Sequence, residues 1–413
     1  MKVAIIGSGI AGNTVAYHLH REHQITVFET NAHIGGHTHT HKIWHEDREF
    51  NVDTGFIVFN DRTYPEFIKL LDDLGVVSQP SFMSFSVRNE MTGLEYNGTS
   101  LNALFAQRRN LFKPSFYRMI QDILRFNRES LGLLTETHEI KLGDYLAKNQ
   151  YSPQFIRDYL VPMGAAIWST DANQMMQFPA RFLVSFFSNH GMLSINDRPQ
   201  WRTIQGGSAH YVEALTREFK QHIRTNTSVW SVKRLENGVL VDGEHFDWLF
   251  MACHSDQALS ILGDASVTER EILGAIPYQE NSVVLHTDQR LLPRRKLAWA
   301  GWNYHVTTQP ISAQKVTVTY NMNILQGLQS REPLLVTLNR DDAIAKDKII
   351  KRLTYHHPLF TGAGVAAQGR IGEISGKNRT CYCGAYWRNG FHEDGVVSAL
   401  NALQHFANRQ AHV

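Results

Sequence analysis

The chain has 413 residues, 43% hydrophobic and 19% charged, which excludes a mainly disordered or collagen-like chain and leaves room for two or three domains. A formal net charge of +2 gives no bulk reason to bind nucleic acid. Three cysteines are too few for a disulfide framework and suit a reducing cytoplasm, and no apolar run is long enough to span a membrane.

At the N-terminus, residues 2–6 (Lys-Val-Ala-Ile-Ile) are too short for a signal core and read as a buried parallel strand. Gly7-Ser-Gly-Ile-Ala-Gly12 follows, then an amphipathic run over 13–21, a second strand over 25–28 and the acidic Glu29. Each part has a task in dinucleotide binding. Gly7 permits the tight turn, Gly9 lets a pyrophosphate approach the backbone, and Gly12 lets the helix lie close on the strand. The N-terminus of the helix that follows offers unpaired N–H groups to phosphates, and Ile10 and Ala11 lie in the turn beside it. Glu29 can accept ribose hydroxyls and would repel a 2′-phosphate, which argues against NADP.

Residues 28–38 read Phe-Glu-Thr-Asn-Ala-His-Ile-Gly-Gly-His-Thr, and Asp53-Thr-Gly-Phe56 supplies another glycine turn. At the far end, Cys383-Gly-Ala-Tyr-Trp-Arg-Asn-Gly-Phe-His-Glu-Asp-Gly395 leads into a helical run from Val396. Together these segments resemble the motifs of the FAD-dependent amine oxidase, phytoene desaturase and protoporphyrinogen oxidase superfamily. The resemblance implies that Gly35, Gly36, His37 and Thr38 lie along FAD, with His37 where the superfamily has Arg. It implies that Gly55, Phe56, Gly384, Ala385, Glu393, Asp394, Gly395 and Val396 border the cofactor. The helix beginning near Gly395 would point its positive end at the flavin ring. Gly206-Gly-Ser208 resembles the superfamily's internal Gly-Gly turn. Val229 is implied to begin a strand touching adenine, and Ala252 to end a strand returning beneath the cofactor.

Phe391-His-Glu-Asp-Gly395, Ala252-Cys-His-Ser-Asp-Gln257 and Leu285-His-Thr-Asp288 resemble a bacterial branch of predicted NAD/FAD-binding, amine oxidase-like proteins. That branch is often associated with cyclopropane-fatty-acid-synthase-like enzymes. The implied fold is α/β: a Rossmann-type FAD-binding domain with a parallel sheet, plus an α+β substrate domain. Both are discontinuous, with cofactor segments at 1–75, 198–275 and 365–413 and substrate segments at 76–197 and 276–364.

His37, His39 and His41 alternate and would share one strand face, a geometric start for zinc or copper. No Cys or carboxylate joins them at ligand spacing, so a solvated strand is the preferred reading and no metal is expected. Cys381 and Cys383 are spaced Cys-x-Cys and read as inert buried thiols. They do not match the superfamily's attachment position, so FAD is expected to be non-covalent. Residues 101–128 hold six basic residues against one acid, Asp122, interleaved with leucines and phenylalanines. This stretch reads either as a substrate-domain helix with a solvated face or as a peripheral contact with an anionic membrane.

The function implied is an FAD-dependent dehydrogenase, desaturase or oxidase that transfers a hydride from a hydrophobic substrate, a fatty acyl chain among the candidates, to flavin N5. Alternatives are a flavin amine oxidase, a non-redox flavin isomerase and a flavin-stabilised lipid-binding protein. Tyr386, Trp387 and His392 are the catalytic candidates, as they fall within the closing motif. Trp168, Trp302, Asn303 and Tyr320 are further candidates for the substrate side. The residues name no electron acceptor.

Overall fold

The computed structural model describes residues 1–136, 138–194, 196–308 and 315–410, without the side chains of 409 and 410. Residues 309–314 and 411–413 of the expected domain segments lie outside the described residues.

Five parallel strands form one sheet, in the spatial order Ile223–Arg224, Gln24–Phe28, Lys2–Ile6, Trp248–Met251 and Thr380–Tyr382. Their near-continuous apolar character follows from burial on both faces. Val3, Ile5 and Val27 meet Ala11, Val15 and Ala16 of the first helix (Ile10–Leu19) and Ala402 and Phe406 of the last helix (His392–Gln410). On the opposite face, Ala4, Ile6, Leu249 and Met251 pack on Val239, Val241, Phe246 and Ile272.

A second, seven-stranded sheet runs in the order Ile349–Pro358, Tyr278–His286, Leu335–Leu338, Val318–Asn321, Trp302–Val306, Phe85–Asn89 and Leu94–Asn97. Its two faces differ in chemistry. One bears a buried polar ladder. Ser86 Oγ donates to Asn303 Oδ1 at 2.8 Å, and Asn303 Nδ2 donates to the Thr319 carbonyl at 3.0 Å. The Thr319 and Thr337 hydroxyls pair at 2.8 Å, and Thr337 pairs with His286 Nε2 at 2.7 Å. Burial holds His286 down to about 4, so it works as a neutral hydrogen-bonding group. Asn303 also bonds both the N–H and the carbonyl of Ala300. Its amide is fully used within the protein, which answers its candidacy for substrate contact. The other face is apolar: Val283, Leu285, Val336 and Leu338 pack on Ile43, Phe50, Val52, Ile57 and Val58.

One local expectation changes, and one helical stretch is subdivided. The segment at Thr227–Val229 is not a strand; the ladder starts at Val232. The Asp242 carboxylate takes the Trp230 and Ser231 N–H groups, and the Glu29 carbonyl takes that of Thr227, which draws this backbone out of sheet pairing. The helical periodicity that runs from residue 101 breaks at Pro114: 101–128 form a short helix Leu101–Leu104, a 3-10 turn Arg108–Phe112 and a helix Pro114–Glu129. Pro114 sits in the first turn of the last of these, where its missing N–H costs nothing. That helix turns Phe116, Met119 and Phe126 into the core.

Candidate functional site

The glycine turns converge through direct contacts. Gly7 has φ +105°, and a Cβ there would lie 2.8 Å from the Ala252 carbonyl oxygen. A Cβ at Gly12 would lie 1.9 Å from the Gly7 oxygen, so only glycine lets the first helix approach its strand. Gly36, at φ +61°, abuts the Gly9 Cα. Gly35 donates to the Ser8 carbonyl at 3.0 Å, and Phe56 donates to the His37 carbonyl at 2.9 Å. A Cβ at Gly55 would fall 2.0 Å from that same His37 oxygen. Gly395 lies against Ile10, where a Cβ would meet Cγ2 at 2.5 Å. Two helix N-termini, at Ile10 and His392, therefore meet beside the Gly9 and Gly36 turns, and both present positive dipole ends.

Gly9 is the exception among these glycines. Its Cβ position meets nothing within 4 Å, and it caps the first helix without a side-chain bond. The cradle thus has an open face where its N–H groups lack intrahelical partners. His37 Nε2, Tyr386 Oη and Trp387 Nε1 are buried without a hydrogen-bond partner. An open glycine face and free helix N–H groups, with the unpaired His37 Nε2 on the residue after Gly36, fit a dinucleotide.

Glu29 is more occupied than its sequence position suggests. Ser8 N and Oγ donate to Oε2 at 3.0 and 2.6 Å, while Asn31 N and Nδ2 donate to Oε1 at 2.8 and 2.9 Å. A ribose would meet a carboxylate holding four donors, two from the backbone and two from the Ser8 and Asn31 side chains. Val229 packs against the cluster containing Phe28 and Ala4, beside the same sheet edge.

The closing motif is tied down closely. His392 stacks on Phe56 with ring centroids 3.5 Å apart, and its Nε2 pairs with Thr38 Oγ1 at 2.9 Å and Tyr211 Oη at 2.8 Å. Burial pushes its pKa well down, so the ring is neutral. The Glu393 carboxylate accepts the N–H groups of Glu66 and Phe67, capping the Pro65–Asp73 helix. Asp394 accepts from Asn389 and Phe391 in the turn before the last helix, and burial raises it to about 6. Val396 is buried beside Ile10 and Tyr211. Ala385 opens a short turn after Gly384 that carries Tyr386 and Trp387, whose rings lie 5.0 Å apart in the cluster beneath the parallel sheet. Trp168 packs instead among Phe178, Phe182 and Phe186.

Tyr211 was not singled out from the sequence. The signal available was its place on the helix following Gly206-Gly-Ser208, one turn beyond the serine. Tyr211→Phe would leave His392 Nε2 and Thr38 Oγ1 short of a buried partner, at a cost of about 1–3 kcal/mol. Thermal unfolding of the variant should show a lowered Tm; an unchanged Tm would remove this knot from the account.

Seven histidines line the approach to the Gly36 turn. His33 stacks on His39 at 3.8 Å, and His39 lies 3.9 Å from His41. His37 faces His254 and His357 at 6.0 and 5.6 Å, and His356 lies 6.4 Å from His254. Burial is the main force holding His37 and His41 down to about 4 and His39, His254 and His357 down to about 3, with neighbouring cationic groups adding to it. Among the described residues no group of three or more His, Cys, Asp or Glu could hold a metal ion. Burial likewise raises the Cys253 and Cys381 thiols to about 12 and 11, so both are protonated.

The sequence profile of the flavin containing amine oxidoreductases matches residues 10–341. The chain belongs to this family. FAD is accordingly the cofactor of this flavin oxidoreductase, an enzyme. No curated protein matches its sequence. Solved structures similar in fold include cyclohexylamine oxidase from Brevibacterium oxydans IH-35A, at 14% identity and TM-score 0.71 over 99% of each chain. A CLA-producing fatty acid isomerase from P. acnes is similar at 16% identity and TM-score 0.69 over 98% of each chain. Putrescine oxidase is similar at 14% identity and TM-score 0.67, over 98% of this chain and 99% of that one. Such identities establish a shared fold and leave the substrate open. No helix among the described residues is long and apolar enough to cross a membrane.

Proposed function

We propose that this flavin oxidoreductase removes hydrogen from a C–H bond of an apolar substrate, with a phospholipid fatty acyl chain as the favoured class. Bound FAD supplies the hydride acceptor. The Gly7–Gly12 turn, Gly35–Thr38 and the start of the last helix hold it without a covalent bond, and Glu29 takes its ribose. Thr38, Tyr211 and His392 brace the Gly-Gly segment against that helix, so we assign His392 a positioning role. Tyr386 and Trp387, with their unpaired donors, stay as the aromatic candidates for contact with flavin or substrate. The segments 1–75, 198–275 and 365–413 form the cofactor domain in this reading, and 76–197 and 276–364 the substrate domain.

One observation carries the apolar reading. Trp302 and Tyr320 stand edge to face, 5.1 Å apart, against the same cluster as Ile57 and Val58, the residues directly after the Gly55–Phe56 turn. An aromatic and aliphatic wall beside a cofactor segment suits a hydrocarbon and excludes water from the reacting carbon. The name of one fold neighbour, a fatty acid isomerase, agrees with this class. Trp302→Ala is expected to lower kcat/KM at least about tenfold, equivalent to about 1.4 kcal/mol of lost transition-state binding, without altering the flavin spectrum. Unchanged kcat/KM would move the substrate away from this wall. Hydrogen peroxide formation during turnover would identify an oxidase, and its absence a dehydrogenase using another acceptor.

A further inference from the structure

Two stretches far apart in sequence build one surface at the edge of the seven-stranded sheet. The first is 101–118, with Arg108, Arg109, Lys113 and Arg118. The second is the exposed run Arg294, Arg295 and Lys296. Glu95 joins them: its buried carboxylate accepts the backbone N–H of Arg294 at 2.9 Å and of Arg295 at 3.0 Å. The turn Lys296–Ala298 packs against both the Leu94–Asn97 strand and the Leu101–Leu104 helix. Arg109 Nη2 ties the 3-10 turn to the Gly93 carbonyl at 2.7 Å, and Arg108 bonds the Phe105 carbonyl at 2.9 Å.

Large apolar side chains stand out among these cations. Phe112 is 87% exposed and Leu101 77%, and Leu111, Tyr117 and Leu297 are also exposed. Glu95 is the only acid within 91–121 and 290–298, and it is buried. A cavity of about 530 Å³ opens beside Phe112, Lys113, Ser115 and Arg157, whose guanidinium pairs with the buried Asp158 in the same lining.

We propose that this surface docks on an anionic phospholipid bilayer. Charge of one sign draws it to the head groups, while Phe112, Leu101 and Leu297 enter the acyl boundary. Nucleic acid would match the charge and leave the protruding leucines in water, so the bilayer is the occupant the chemistry favours. The membrane is also the source of the acyl substrate proposed above, and in that respect the inference rests on that reading. Docking is read without turnover, so its failure and the failure of the substrate reading are separate results.

The test is flotation of the full chain with vesicles of phosphatidylcholine alone and of phosphatidylcholine mixed equally with phosphatidylglycerol. Binding to the mixed vesicles, weakened by salt and absent from the neutral ones, is the expected result. Arg294→Glu with Arg295→Glu, and separately Phe112→Asp, should each weaken it at least tenfold with flavin spectrum and Tm unchanged. Arg217→Glu with Lys220→Glu makes the same charge change elsewhere and should cost much less. No binding to anionic vesicles would overturn the proposal. So would equal loss in the control variant, or tighter binding to a single-stranded oligonucleotide than to vesicles.

Discussion

Gly9→Val is expected to yield a folded protein that has lost its flavin colour, whereas Gly12→Ala is expected to destabilise the fold itself. The difference comes from what a side chain meets. Gly9 has extended backbone, φ −68° and ψ −178°, and its Cβ position touches no protein atom within 4 Å. A side chain there starts into open space, on the side where the glycine motif would bring a pyrophosphate. We expect FAD affinity to fall at least about a hundredfold, or about 2.7 kcal/mol, with little change in the Tm of the flavin-free protein. At Gly12 the added carbon would sit 1.9 Å from the Gly7 oxygen. The first helix must then move off its strand, a strain of about 1–3 kcal/mol that lowers Tm with or without FAD. Titration of both variants with FAD, alongside thermal unfolding, checks the pair. Flavin retained at normal affinity by Gly9→Val would mean the cofactor does not approach this turn.

The second large effect concerns pH. In the flavin-free protein, burial is the main cause that depresses His37 to about 4 and His254 and His357 to about 3. An unfolded chain binds protons on these histidines near their ordinary 6.5, and the folded one does not. The stability they allow is therefore present above pH 6.5 and is lost as pH falls toward 4. Acidification should lower the Tm of the flavin-free protein across that window. FAD is expected to reverse the sign at His37. His37 follows Gly36, which abuts Gly9, and it faces His254, His356, His357 and Tyr355 with His33 nearby. A pyrophosphate against this turn would favour the imidazolium, so binding should take up a proton. Affinity should rise as pH falls from 8 to 6, by at most about tenfold per pH unit for each proton taken up. Calorimetry in two buffers of different ionisation enthalpy reads the proton directly. His37→Arg should bind FAD with a flat pH profile, and His37→Gln should bind weakly and take up no proton. An identical, flat profile for all three would show that His37 does not sense the pyrophosphate.

The parallel-sheet part of the molecule was readable because its signals are local. Residues 2–29 hold strand, turn, helix and strand in unbroken order, and the glycines there answer to sterics that a sequence displays directly. The knot of Thr38, Tyr211 and His392 was not readable, since its hydrogen bonds join residues 173 and 354 positions apart. The misplaced strand start at Val229 has a similar origin, because the Asp242 carboxylate that captures the backbone comes from the next hairpin strand's end. The basic stretch 101–128 shows both outcomes. Its helical apolar face went to the core, as Phe116 and Phe126 show, while Phe112 and Leu101 stayed outside. Arg294–Lys296 gave no hint of joining them, because the join is made by a buried glutamate on a strand 199 residues away.

On the function proposed above, flavin in this fold takes hydride from an apolar substrate. Anaerobic mixing of the purified, flavin-loaded protein with a total phospholipid extract tests it most directly. Visible flavin absorption should be lost on mixing and return when an oxidant is admitted. A flavin spectrum that stays unchanged with the extract and bleaches with a primary amine would contradict it.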